Sequence, residues 1–208
     1  MDIPFSLQAF TIDNIELKIF IPEPTAIARI YSNDKSLAYW AQVWPASIGL
    51  CNFLHKYPAY IIDKNVLELA AGLGLPGLYA ARLARQVHIT DREVCIVKYV
   101  QQSAMNLQLS NVQATALDWK DAMHAPFPDV LLLSDVNYEP AVFNELQQVL
   151  EFFLENSVKV IISTPQRLVA KQFINSLQQY FSEQWNTSIE LNGKSTDVSI
   201  FVLQGKNI

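Results

Sequence analysis

The chain has 208 residues, a net charge of −5 at pH 7 and an apolar fraction of 50%. This size and composition are typical of one globular domain with a substantial core. The acidic balance disfavours a nucleic-acid-binding protein that depends on a broad basic face, and no run of about 18 uninterrupted apolar residues predicts a membrane span.

Cysteine, histidine and the amino terminus carry no special signal. Cys51 and Cys95 lack metal-like or redox-like spacing, so we expect two reduced thiols. The histidines at 55, 88 and 124 share no spacing, and no metal site is expected. The first ten residues lack the basic and long apolar regions of a signal peptide. We therefore predict a cytoplasmic monomer.

The first part of the chain predicts a β-hairpin ahead of the main fold. Residues 7–31 alternate apolar and polar side chains around Asp13-Asn14, a turn-forming pair. We assign residues 1–36 to this extension and residues 37–208 to the main region, within one compact unit overall. After Pro45, apolar residues recur at helical spacing until Pro58 stops the helix.

A strand, a glycine-containing turn and a helix follow over residues 66–84. Gly72 and Gly74 let the backbone bend tightly and approach a ligand without a Cβ in the way. Pro76 is suited to the first turn of a helix, where its missing N–H costs nothing. The next strand, VHIT, ends on Asp91.

Strands and helices then alternate to residue 181. Residues 92–109 predict a helix with an apolar stripe through Val94, Val97, Val100, Met105 and Leu109. Strands are predicted over VQATAL, DVLLLSDVNY and KVIISTP, with helices over 139–155 and 167–181. SIELNG and DVSIFVLQG predict a terminal hairpin. The fold class is α/β: a doubly wound, Rossmann-like, seven-stranded and mostly parallel sheet with helices on both faces.

The polar residues at the strand ends are expected to converge on one edge of this sheet. They are residues 68–74, Asp91, Asp118-Trp119 and residues 134–138. In a doubly wound sheet, ligands bind beyond the carboxyl ends of the strands. The sequence therefore predicts a nucleoside-type cofactor site there.

S-adenosylmethionine fits these residues better than a nicotinamide dinucleotide does. Pro76 removes an N–H that a pyrophosphate could use at the helix start. Glu68 is a poor neighbour for pyrophosphate but can accept a hydrogen bond from an ammonium group, and Asp91 suits the hydroxyls of a ribose. Asp118 would accept a hydrogen bond from the adenine amine. Trp119 would stack on the adenine or close the pocket, unless it is a core aromatic residue.

These segments resemble the seven-β-strand methyltransferases, and most of all methyltransferase family 16, which includes many protein-lysine methyltransferases. The resemblance covers residues 37–167. The segments that carry it are YWAQVWPASIGL, VLELAAGLGLPGL, ITD, LDW and SDVNY. Its specific parts are Trp44-Pro45-Ala46-Ser47 and Asp135-x-x-Tyr138. Ala70 departs from the pattern, because it replaces the first glycine of the usual turn.

The resemblance implies roles for individual residues. Asp135 and Tyr138 would be catalytic, and Trp40 and Asn137 would contact the substrate. The predicted cofactor-binding residues are Trp44, Glu68, Ala70, Gly72, Gly74, Asp91, Asp118, Trp119 and Ser134.

Methyl transfer to an amine needs no metal, because in-line displacement depends mainly on positioning a neutral nucleophile. Asp135 would attract the acceptor ammonium and Tyr138 would pack against it, while water removes the proton. Asp135 could instead cap the helix that starts near Glu139, or form a hydrogen bond to the neighbouring loop. Arg167 could bind a carboxylate or cap its loop, and the sequence favours the second role.

The sequence thus predicts an S-adenosylmethionine-dependent N-methyltransferase that acts on a lysine of a protein substrate. Two alternatives stay open. One is methylation of a small nitrogenous molecule similar to nicotinamide. The other is a non-catalytic, cofactor-binding regulatory module.

Overall fold

The structure is a computed structural model that describes residues 3–23, 25–28, 39–124 and 126–205. Residues 1, 2, 24 and 29–36 of the predicted extension lie outside these ranges. No helix within them is long and apolar enough to cross a membrane. The elements, in chain order, are β1 (Phe5–Ile12), β2 (Ile15–Pro22), α1 (Pro45–Lys56), β3 (Asn65–Glu68), α2 (Leu75–Ala80), β4 (Gln86–Asp91), α3 (Val94–Asn106), β5 (Val112–Ala116), β6 (Val130–Ser134), α4 (Phe143–Glu155), β7 (Lys159–Pro165), α5 (Leu168–Ser176), β8 (Phe181–Leu191) and β9 (Lys194–Leu203).

A seven-stranded sheet in the order β5-β4-β3-β6-β7-β9-β8 forms the centre of the fold. Strands β3 to β7 are parallel, whereas β9 runs antiparallel to both β7 and β8. All five residues of β6 are buried, as expected for a central parallel strand with helices on both faces. The predicted Rossmann-like α/β fold is confirmed.

The strand order reverses at β3, which places a crevice at its carboxyl end. Strand β3 pairs with β4 on one side and with β6 on the other. The chain leaves these three strands at Glu68, Asp91 and Ser134. Ligands bind in such sheets at the point where the strand order reverses. The topology therefore brings the predicted site residues to one edge.

The amino-terminal hairpin is confirmed over β1 and β2 and forms a separate two-stranded sheet, whereas residues 25–28 of the predicted segment are helical. Its turn lies at Asp13-Asn14, and Asp13 adopts a φ of 54°. The hairpin packs on α3: the backbone N–H of Phe20 donates to Ser103 Oγ at 2.9 Å, and Asn106 Nδ2 donates to the Lys18 carbonyl at 2.9 Å. Buried hairpin residues join the main core through this contact, chiefly Ile12, Leu17 and Ile19.

The predicted stripe of α3 is wrong at two positions. Val94 and Met105 are 74% and 77% exposed. The buried face consists instead of Ile96, Tyr99, Val100, Ser103 and Ala104. This set follows the i, i+3, i+4, i+7, i+8 spacing of a helix face, and it includes polar and small residues that a count of apolar side chains misses.

The helix predicted over residues 167–181 is shorter than expected. It ends at Ser176, and β8 begins at Phe181. The Phe181 ring packs on Phe201 of β9 with centroids 4.8 Å apart. Pairing with β9 thus outweighs the local helical pattern at the end of this segment.

Candidate active site

A cavity of about 240 Å³ lies at the carboxyl ends of β3, β4, β5 and β6. It brings together eleven of the thirteen predicted site residues: Trp40, Trp44, Ala70, Gly72, Gly74, Asp91, Asp118, Trp119, Ser134, Asp135 and Tyr138. Several other lining side chains were not predicted from the sequence, among them Tyr39, Arg92, Glu93, Lys120 and Glu145.

The turn after β3 needs glycine for two reasons. Gly72 and Gly74 have φ angles of 55° and 70°, in the left-handed region that side chains disfavour. In addition, a Cβ on Gly72 would lie 3.3 Å from the Trp40 carbonyl oxygen. The turn is therefore closely packed against the segment before α1, and its backbone stays bare on the cavity side.

Ala70 adopts the same left-handed conformation, with a φ of 50°, although it carries a Cβ. This conformation costs an L-residue roughly 1–2 kcal/mol. Alanine in place of the first glycine of the family pattern therefore keeps the conformation of the turn but lowers the stability of the fold.

The Asp91 carboxylate is fixed by two backbone groups. Oδ2 accepts the N–H of Gly72 at 2.9 Å, and Oδ1 accepts the N–H of Glu93 at 3.0 Å. Burial raises the pKa of Asp91, and the two N–H donors oppose that rise. Each oxygen retains a lone pair that can accept a hydroxyl, so the group is suited to bind a ribose diol.

Glu68 does not line the cavity. Its side chain is fully buried, and Oε2 accepts the N–H of Gly77 in α2 at 2.8 Å. Oε1 has no hydrogen-bond partner among the described residues. Burial raises the pKa of this carboxyl to about 8. Glu68 thus anchors the first turn of α2 as a largely neutral acid, beneath the turn that faces the cavity.

Trp119 lies on the rim next to the predicted adenine end. Its Nε1 donates to Glu145, and Glu145 Oε2 lies 2.7 Å from Lys120 Nζ. The side chain of Asp118 accepts the backbone N–H of Lys120 at 3.1 Å. These bonds hold the indole in place, which makes Trp119 a constrained part of the cavity wall.

Asp135 makes a bidentate ion pair. Arg167 Nη1 and Nη2 donate to its two carboxylate oxygens at 2.7 and 3.0 Å. Asp135 caps no helix, because Glu139 is the N-cap of the 3₁₀ turn at Pro140–Val142 and Val142 is the N-cap of α4. Arg167 makes no side-chain capping bond to α5. Neither side chain caps a helix. Asp135 instead bonds to the neighbouring loop and Arg167 binds a carboxylate, which are the other roles that the sequence left open.

An aromatic cluster borders Asp135. The rings of Tyr39 and Tyr138 lie 5.3 Å apart, and the Tyr39 ring lies 6.5 Å from that of Trp44. Trp44 Nε1 donates to the Tyr39 carbonyl at 2.9 Å. Tyr39 was not predicted as a site residue. It belongs to the YWAQVWP segment that carried the family resemblance, and its place in that segment is the signal that could have identified it.

Asn137 is the second predicted residue outside the cavity lining. It is buried, and its Oδ1 accepts the Thr164 hydroxyl at 2.7 Å. Ser134 does line the cavity, and its hydroxyl lies 3.0 Å from that of Ser47.

A sequence model of a protein family described as lysine methyltransferase matches residues 29–180, which is well over half of the chain. The chain belongs to the lysine methyltransferase family. The resemblance seen in the sequence is confirmed. The protein is an S-adenosylmethionine-dependent methyltransferase, and the Asp91 carboxylate and the bare glycine turn fit that cofactor.

Two curated relatives differ in their acceptor residue. The methyltransferase is 32% identical over 164 residues to protein N-lysine methyltransferase METTL21A of Danio rerio, which covers 75% of each chain. It is 30% identical over 145 residues to histone-arginine methyltransferase METTL23 of Rattus norvegicus, which covers 66% of this chain and 64% of the relative.

Solved structures of other methyltransferases share the fold. N-methyltransferase NodS of Bradyrhizobium japonicum, in complex with S-adenosylhomocysteine, superposes with a TM-score of 0.61 at 12% identity, covering 86% of this chain and 97% of NodS. A putative RNA methyltransferase from Pyrococcus horikoshii also gives 0.61, at 17% identity, covering 78% of this chain and 83% of the other.

The buried Glu68 predicts a pH-dependent stability. Its pKa is about 8 in the folded chain, against about 4.3 when unfolded. Between these values the folded state binds more protons, so this group lowers the free energy of unfolding as pH rises. Glu68→Gln keeps an acceptor for Gly77 without the charge. Between pH 5 and pH 8 the free energy of unfolding, measured with urea, should fall by a few kcal/mol more in the wild type than in Glu68→Gln.

The control for this test is Glu190→Gln, at an exposed position, which should keep the pH dependence of the wild type. If the wild type and Glu68→Gln showed the same pH dependence, the assignment to Glu68 would be contradicted.

The strained turn predicts a stabilising substitution. Ala70→Gly should raise the free energy of unfolding by about 0.5–1 kcal/mol, because glycine adopts this φ without a Cβ penalty. For a chain of this size that corresponds to about 1–4 °C in Tm. Ala71→Gly is the matched control, and it should lower Tm because Ala71 is not among the residues with positive φ. Equal shifts in both variants would show that the φ of Ala70 is not the cause.

Proposed function

We propose that this methyltransferase transfers the methyl group of S-adenosylmethionine to a lysine side chain of a protein. The observation that carries the proposal is the open acceptor end of the cavity. Tyr39 and Tyr138 stand there side by side and are 40% and 41% exposed. A long side chain presented by a folded protein can enter the cavity alongside these exposed rings, whereas a small molecule is held better in a closed pocket.

The bound cofactor would lie along the strand ends from β5 to β6. Asp91 would accept the ribose hydroxyls, the turn at 70–74 would contact the methionine portion, and Trp119 would cover the adenine. When bound, the cofactor would supply a methyl group on a sulfonium; the acceptor nitrogen would form the new N–C bond while the methyl C–S bond breaks and the sulfur leaves as a thioether.

The charge at the acceptor end favours a neutral amine. Lysine must lose a proton before it can attack, and its ordinary pKa is about 10.4. An unpaired carboxylate would stabilise the ammonium form. Because Arg167 balances the charge of Asp135, the carboxylate can orient the amine while attracting the ammonium less strongly. Water takes the released proton, and Tyr138 packs against the alkyl chain.

Protein arginine is a second candidate, and the similarity to histone-arginine methyltransferase METTL23 favours it. A guanidinium acceptor binds best to carboxylates in a bidentate geometry. In this chain the guanidinium of Arg167 already occupies Asp135 in that way. This occupied carboxylate supports lysine over arginine.

The role of Asp91 is tested by cofactor binding. Asp91→Asn leaves one of the two N–H donors without an acceptor and removes the charge that holds the ribose, so we expect at least about tenfold weaker binding of S-adenosylhomocysteine, measured by calorimetry. Asp63→Asn serves as the control, because Asp63 is exposed and pairs with Arg85 outside the cavity. Similar affinities in the two variants would contradict the assignment.

The acceptor is tested by incubating the protein with labelled S-adenosylmethionine and a cell lysate. We expect label in a discrete protein band, and hydrolysis followed by mass spectrometry should identify methyl-lysine. Methyl-arginine would support the second candidate instead. Label confined to small molecules, or no transfer at all, would exclude a protein substrate in that lysate and favour the small-molecule or non-catalytic alternatives.

A further inference from the structure

We propose that Arg167 is a positioning residue for methyl transfer, which holds the Asp135 carboxylate in one orientation at the acceptor end of the cavity. The inference rests on the proposed function, because it concerns how the acceptor nitrogen is oriented. Neither the family resemblance nor the strand-end pattern assigns Arg167 to the site.

Arg167 binds Asp135 from outside the lining of the cavity. Asp135 lines the cavity, whereas Arg167 is not among the lining residues. Its two terminal nitrogens donate to the two carboxylate oxygens at 2.7 and 3.0 Å. A bidentate pair fixes the carboxylate plane as well as its position. One lone pair on each oxygen stays free for the acceptor nitrogen.

The backbones on both sides of this pair are held in place. Asp135 has a φ of 54°, and its N–H donates to the Ser163 carbonyl at 2.9 Å. The N–H of Arg167 donates to the Pro165 carbonyl at 2.8 Å. A buried hydrogen bond from the Thr164 hydroxyl to Asn137 joins β7 to the loop that follows β6. Because the Asp135–Ser163 and Thr164–Asn137 bonds connect the ends of β6 and β7, the ion pair has little freedom to shift.

The carboxylate depends on Arg167 for its charge. Burial is the main cause that raises the pKa of Asp135, and the charge and hydrogen bonds of Arg167 oppose it. Without the guanidinium, a buried carboxylate would be uncompensated and would tend to take up a proton. A protonated and freely rotating carboxyl would no longer present fixed acceptor oxygens to the incoming nitrogen.

A second ion pair in the chain provides a matched control. Arg85 binds Asp63 in the same bidentate manner, with Nε and Nη2 at 3.0 and 2.9 Å from the two oxygens. Asp63 also has a left-handed backbone, with a φ of 55°. This pair is exposed and lies outside the cavity lining. Replacing Arg85 therefore shows the effect of losing a bidentate arginine–aspartate pair elsewhere in the chain. Replacing Arg167 shows the effect of losing one at the cavity.

The test compares Arg167→Met, Arg167→Lys, Asp135→Asn, the double variant Asp135→Asn/Arg167→Met, and Arg85→Met. The readouts are the initial rate of label transfer from S-adenosylmethionine to the lysate band, the affinity for S-adenosylhomocysteine, and Tm. We expect Arg167→Met to slow transfer at least about tenfold, with cofactor affinity within about threefold of wild type. Arg167→Lys should recover part of the rate, and Arg85→Met should match wild type.

The double variant decides whether Arg167 acts through Asp135. If it does, adding Arg167→Met to Asp135→Asn produces no further loss of rate. An unchanged rate in Arg167→Met overturns the proposal. Loss of cofactor affinity by the same factor as the rate also overturns it, because that result indicates a purely structural role. If Arg167→Met does not fold, the rates of Arg167→Lys and of the double variant are compared with those of the wild type and Asp135→Asn instead. The double variant is suited to this because it has no carboxylate at position 135 that would be left unpaired. A wild type that labels no protein refutes the proposed function itself, and so is distinguishable from these outcomes.

Discussion

The two hydrogen bonds that the Asp91 carboxylate accepts from backbone N–H groups connect the parts of this site. One donor, Gly72, belongs to the turn after β3, and the other, Glu93, precedes α3. A single buried side chain thus sets the distance between the turn and the start of the next helix. The left-handed backbone at Gly72 is what aims its N–H at the carboxylate, so the glycine turn and the acid at the next strand end depend on each other.

Three buried carboxyls near the cavity are compensated in three different ways, and the difference separates their roles. Asp91 relies on backbone donors, Asp135 relies on a guanidinium, and Glu68 is left largely neutral. A charge fixed by the backbone suits the proposed role of Asp91 in binding a cofactor that keeps one pose. A charge balanced by another side chain can be changed without altering the turn, so under the proposed function the Asp135 end of the cavity is where substrate specificity would vary.

The sequence alone was sufficient for the sheet, the hairpin and the position of the cavity, because strand ends and glycine turns are local signals. It failed where long-range packing decides the outcome. The stripe through Val94 and Met105 missed a buried helix face that includes polar and small residues. The pairing of Asp135 with Arg167 joins loops 32 residues apart, and a pattern read along the chain gives no direction for either side chain. Glu68 looked like a ligand because its strand position was right, but its burial became visible only in three dimensions.

Helix α3 links two parts of the molecule that the chain order keeps apart. It starts beside the cavity at Glu93 and ends at Asn106, which is bonded to the hairpin. Its 13 residues span about 20 Å as a stiff rod. The hairpin is bonded to the far half of α3 through Ser103 and Asn106, and the backbone N–H of Glu93, just before α3, donates to Asp91. A single helix therefore connects the hairpin to the carboxylate that is proposed to bind the ribose, although hairpin and carboxylate contact opposite ends of it.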